Sequence, residues 1–140
     1  MRVIYLLLFL LTVQTATSQS YEKLEELYEI LNKVEHNKTL KKKEMVLLLE
    51  SCKNSCLINN AEFSEWRSEA IFEIINHSSN LQKMISILKS KTDLLPYLLE
   101  ELSFPVHEPN YYKCIENIRN VRGDDNIKNY MINILKKEIE

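Results

Sequence analysis

Apolar side chains recur every three or four positions along most of this chain and alternate in no stretch longer than a few residues, so the pattern predicts helices and no strands. Residues 21–36 place Leu24, Leu27, Tyr28, Leu31 and Val34 on one stripe. Glu22, Glu25, Glu26, Glu29 and Lys33 take the other, as an amphipathic helix requires. Residues 40–58 repeat the pattern with Met45, Leu48, Leu49, Cys52 and Cys56, and the extra Val46, Leu47, Leu57 and Ile58 mark this helix as central. From Ala61 to His77 the stripe is Phe63, Trp66, Ala70, Ile71, Ile74 and Ile75, with Asn59-Asn60 ahead of it as capping residues.

Ser78-Ser79-Asn80 reads as a turn and cap, after which Leu81, Met84, Ile85 and Leu88 align. Thr92-Asp93 recaps a run holding Leu95, Leu98, Leu99 and Leu102. Pro96 falls in its first turn, where a missing N–H is tolerated, so a break is expected near Lys91. Residues 104–110 (FPVHEPN) form a loop, since two prolines in so short a span cannot continue a helix. Tyr111, Cys114, Ile115, Ile118 and Val121 resume the pattern up to Gly123, the expected left-handed cap. Asp124-Asp125 cap a last helix with Ile127, Tyr130, Met131, Ile134 and Leu135 inward and Lys136 and Lys137 near its negative end. The expectation is an all-α fold, a compact helical bundle of four main helices with one or two additional short helical segments.

The first residues change the picture. Met1-Arg2, the apolar run Val3 to Val13 and the small residues Ala16-Thr17-Ser18 are the three parts of a secretory signal peptide. The run is about half the roughly 20 residues a membrane-spanning helix needs. Residues 1–18 are therefore read as a signal peptide, with cleavage as late as residue 20, and 19–140 as one secreted helical domain. Loss of Arg2 takes the formal charge from −2 to −3. Lys41-Lys42-Lys43 is the one basic cluster and reads as a solvated helix face, so no nucleic-acid partner is expected, and no later run is long enough for membrane insertion. A single glycine in 140 residues excludes turn-rich β architectures and phosphate-cradling loops.

Chemistry is sparse. His36, His77 and His107 stand at separate helix ends or loops without metal-ligand spacing, so no metal and no cofactor is expected. Glu25/Glu26 and Asp124/Asp125 sit on polar faces or caps, and no nucleophile elbow exists, so the chain is not read as an enzyme. Cys52, Cys56 and Cys114 all lie on apolar stripes; in an oxidising compartment one disulfide is expected, Cys114 with Cys52 or Cys56. The leftover thiol is either a buried core cysteine or the link of a covalent homodimer. Asn37-Lys38-Thr39 and Asn76-His77-Ser78 are glycosylation sequons, each at a junction between helices.

Size, leader, loop sequons and a helix-tying disulfide together resemble the short-chain four-helix cytokines of the interleukin-2 and interleukin-4 type. That resemblance implies a secreted, extracellular signalling ligand whose partner is a cell-surface receptor protein. The residues themselves offer two candidate receptor faces: Glu22, Glu25, Glu29 and Lys33 on the first helix, and Lys128, Asn129, Asn133 and Lys136 on the last. A second resemblance, to insect odorant-binding proteins, rests on six short helices and the Cys52, Cys56, Cys114 order. It implies a carrier of small apolar ligands held among Trp66, Phe63, Met84, Leu88 and Tyr111. A secreted effector or venom-type protein is the third reading.

Overall fold

Among the described residues, which are 22–54 and 60–140 of a computed structural model, the periodic segments fold into seven helices and no strand occurs. They are α1 (22–35), α2 (Lys42–Ser51), α3 (Ala61–Asn76), α4 (Ser78–Ser90), α5 (Leu95–Ser103), α6 (Tyr111–Asn120) and α7 (Asp125–Lys137), with a 3₁₀ turn at Thr92–Leu94 ahead of α5. The expected signal peptide, residues 1–18, and Cys56 lie outside the described residues. The second helix, expected to run to residue 58, instead ends at Ser51, with Cys52 as its C-cap and the Lys53 and Asn54 N–H groups turning back to the Glu50 and Ser51 carbonyls at 3.3 and 3.2 Å. The all-α expectation holds, and the break near Lys91 is the junction between α4 and the 3₁₀ turn, with Pro96 in the first turn of α5.

Helix α4, rather than α2, occupies the centre. It packs on α2, α3 and α7 and on the 3₁₀ turn. Leu81, Met84, Ile85 and Leu88 are completely buried, whereas Val46 and Leu47 of α2 are only partly covered. The physical reason is that α4 has neighbours along most of its circumference. Helix α6 packs on α3 and α7, and α5 on α7, which closes the other side of the core. On α7 the inward set is Ile127, Met131, Ile132 and Leu135; Tyr130, expected inward, is 55% exposed.

Two junctions show where the chain takes special conformations. Asn37 has φ 56°, the one positive φ at a non-glycine position among the described residues. Its N–H bonds the Val34 carbonyl at 2.9 Å and the Lys38 N–H reaches back to the Lys33 carbonyl at 2.9 Å, the paired bonds of a Schellman cap that ends α1. Gly123, expected in that left-handed role, does not have a positive φ. Its function is close approach: a Cβ there would lie 2.6 Å from Ile85 Cγ2. That methyl is on a β-branched, fully buried side chain of the central helix and cannot swing aside. Gly123→Ala should therefore lower stability by about 1–2 kcal/mol, overpacking outweighing the entropy lost from the unfolded chain, as a shift of the urea midpoint would show.

Candidate functional site

Helices α1 and α3 meet through aromatic rings. The Tyr28 ring sits edge-on to Phe63 with centroids 5.8 Å apart and tilted against Trp66 at 5.6 Å. Phe63 is completely buried and fixes the pair from below, while Tyr28 and Trp66 keep part of their surface in solvent. Asn60 starts α3 by accepting the Phe63 N–H at 3.1 Å, which sets the register that turns Trp66 toward α1.

Trp66 stands between two open recesses. One, of about 550 Å³, is lined by Glu25, Tyr28, Glu29, Lys33 and Lys38 among others. The other, of about 330 Å³, is bounded by Glu35, Glu62, Glu65 and Glu69. Glu25 and Glu29 are one turn apart on α1, and Glu62, Glu65 and Glu69 are spaced three and four apart on α3, so both helices turn carboxylates toward the same ring. Six carboxylates thus surround an exposed aromatic edge. Lys33 does little to neutralise them, because its Nζ donates to Glu44 Oε1 at 2.6 Å. That hydrogen bond holds the Lys33 ammonium above its ordinary pKa and is the main reason that the Glu44 carboxyl lies below its own. Glu44 also accepts the Lys41 N–H at 2.7 Å, so one side chain caps α2 and ties it to α1. An acidic, partly apolar recess of this kind suits a cationic group, which gains from both the carboxylates and the faces of the rings.

The groove collects part of the sequence-derived set. Glu25, Glu29 and Lys33 line it; Glu22 is exposed on the same helix. On α7, Asn129, Asn133 and Lys136 are exposed, but Lys128 departs from the expected solvated face. Its side chain is 13% exposed and pairs with Asp125 at 3.4 Å. Of the residues assigned to a carrier, Phe63, Met84 and Leu88 are closed into the core, Tyr111 is partly buried, and Trp66 lines the groove. Asn37 and Asn76 are both exposed at helix junctions, Asn76 Oδ1 accepting from Asn117 Nδ2 at 3.1 Å.

The Cys114–Cys52 pairing is not formed. Both thiols are free and buried. Cys52 caps α2, its Sγ 3.7 Å from the Leu48 carbonyl, with Glu101 and Arg67 as charged neighbours; Cys114 faces Glu73 and Lys113. Helix α6 packs on α3 and α7, which holds Cys114 in a different neighbourhood. Burial pushes the Cys52 thiol up to about 12, the Glu101 charge adding to it against Arg67, so this cysteine behaves as a core residue. The Cys114–Cys56 alternative lies outside the described residues.

Sequence reasoning passed over Glu62, Glu65 and Glu69, although their spacing around Trp66 is legible. It also left His107 alone in its loop. The fold carries that imidazole onto α3, with Nε2 3.4 Å from Glu65 Oε1 and 3.0 Å from Glu69 Oε1. Comparison of the chain with protein-family models, with curated proteins and with solved structures gives no match.

Proposed function

We propose that the chain is a secreted, cytokine-like helical ligand that binds a cell-surface receptor through the acidic groove around Trp66. The observation that carries this reading is the groove itself: two helices present six carboxylates around a partly buried tryptophan, and one of those helices bears the acidic stripe that its sequence marks. A receptor segment offering Lys or Arg would place its charge among the carboxylates and its stem on the rings. In this reading the long helices α1, α3, α4 and α7 are the four main members of the bundle, and α2, α5 and α6 are the short additions. The leader is cleaved near residue 18 or 20, and Asn37 and Asn76, both exposed at helix junctions, carry glycans. A covalent homodimer would go through Cys56, because the other two thiols are buried.

The test is saturable binding of labelled protein, secreted from eukaryotic cells, to the surface of intact cells. Glu25→Lys/Glu29→Lys, both exposed positions, should weaken binding by about tenfold or more without altering the helical circular dichroism. Equal binding of that variant and the parent would reject the groove as the contact. Native mass spectrometry of the same material provides the contrast with a carrier: a retained small apolar molecule would overturn the signalling reading.

A further inference from the structure

We propose that Glu65, Glu69 and His107 form a surface site for a divalent transition-metal ion of the zinc class. The three ligand atoms, one carboxylate oxygen from each glutamate and the His107 ring nitrogen, all lie within 4.8 Å of one another. Ligands about 2.0–2.1 Å from a tetrahedral Zn²⁺ stand about 3.3 Å apart. The observed His107 Nε2 separations of 3.4 Å from Glu65 Oε1 and 3.0 Å from Glu69 Oε1 are already at that spacing. One imidazole and two carboxylates are also a donor set that suits zinc, and three protein ligands leave a fourth position for water.

The site is assembled from two elements, and each is held. Glu65 and Glu69 are one turn apart on the sixteen-residue helix α3, so their side chains rise from the same face. His107 comes from a loop flanked by Pro105 and Pro109, which restrict its backbone. The Val106 N–H donates to Ser68 Oγ at 3.4 Å, and Ser68 is a buried residue lying between the two glutamates on the same helix. The loop is thereby pinned to the stretch of α3 that bears the carboxylates, and little ordering is left for an ion to bring about.

Charge supplies a separate argument. Among the described residues neither Glu65 nor Glu69 has a charged partner within 4.0 Å other than His107. An imidazolium offsets one of the two negative charges and a divalent ion offsets both. The adjoining carboxylates Glu35 and Glu62 add to the attraction for a cation.

Isothermal titration of the full secreted chain with Zn²⁺ tests the assignment, with Co²⁺ as an optical stand-in whose visible absorption reports ligand geometry. One ion per chain should bind saturably, and His107→Ala and Glu69→Gln should each weaken binding by at least about tenfold. His36→Ala, at an exposed histidine just past the end of α1 and not one of the three ligands, should leave the isotherm unchanged. All three positions are solvent-exposed, and an unchanged circular dichroism spectrum will show that the variants fold. No saturable Zn²⁺ binding, or equal affinity in the parent and His107→Ala, would overturn the site and reduce the cluster to a histidine–carboxylate ion pair. Glu65 and Glu69 are two of the six carboxylates of the receptor groove, but the titration needs no partner protein, so its failure leaves the receptor reading standing.

Discussion

Replacing Arg67 with alanine should cost about 3–5 kcal/mol, a large share of the roughly 5–15 kcal/mol that holds a domain of this size together. Arg67 is 2% exposed. Its Nη1 donates to the Ser51 carbonyl at the C-terminal end of α2 at 3.1 Å, its Nη2 pairs with Glu101 of α5, and its guanidinium carbon lies 5.6 Å above the Phe63 ring. One side chain on α3 therefore ties together α2 and α5. Truncation leaves the Ser51 carbonyl without that donor and strands a carboxylate that is 16% exposed. The sign of the pH dependence follows. Burial, opposed by Arg67, already holds the Glu101 carboxyl above its ordinary pKa, and removing the guanidinium raises it further. A carboxyl raised in the folded state favours folding when it is protonated and disfavours it as pH rises past the folded value. The Arg67→Ala deficit should thus be largest near neutral pH and shrink as the solution is acidified through the raised Glu101 range. Urea unfolding at several pH values checks both statements. Arg67→Met/Glu101→Leu, which removes the charges together, should recover most of the loss.

Arg67 also shows how much of this molecule its sequence discloses. It lies four residues after Phe63 and four before Ile71, both completely buried, so it interrupts the apolar stripe of α3 in plain view. The pattern locates the buried charge; it cannot name Glu101 as its partner, because pairing across 34 residues depends on how α5 docks. The same division runs through the fold. Helix existence and type follow from local periodicity, and so do the Asn60 and Asp124 caps, whose side chains bond N–H groups two or three residues on. Which helix is central does not follow, since α4 gains that place from neighbours distant in the chain.

Gly123 and Asn37 exchange the roles that composition suggests. A lone glycine invites a left-handed cap, yet the left-handed residue is Asn37, and Gly123 is needed because the Ile85 side chain is so close. Local conformational preference is read from a residue type, but a steric exclusion is set by a partner thirty-eight positions earlier. The groove divides in the same manner. The acidic stripe of α1 is periodic and legible, whereas the aromatic floor requires Tyr28 and Trp66 to meet, and His107 reaches Glu65 and Glu69 only through the docking of a proline-flanked loop.

Asn80→Ala should destabilise the protein by about 2–4 kcal/mol and do so locally, at the α1–α2 junction. The Asn80 side chain is 1% exposed and acts as a substitute peptide group. Its Oδ1 accepts the Leu40 N–H at 2.9 Å and its Nδ2 donates to the Lys38 carbonyl at 3.0 Å, so the first turn of α4 pairs with the connection between α1 and α2 as a neighbouring strand would. Leu40 is completely buried, and its carbonyl accepts from Lys83 one turn further along α4. Alanine leaves the Leu40 amide without an acceptor in a place that water does not reach, and it frees the segment that delivers Leu40 to the core. Hydrogen exchange should then show lost protection at the Leu40 amide, well before the α6 and α7 amides are affected. Asn80→Asp separates the two bonds. The carboxylate keeps the acceptor but loses the donor, and it sets a buried negative charge against the Lys38 carbonyl, so near neutral pH it should be at least as damaging as alanine. At acidic pH the protonated side chain regains a donor, and the Asp variant should become the more stable of the two.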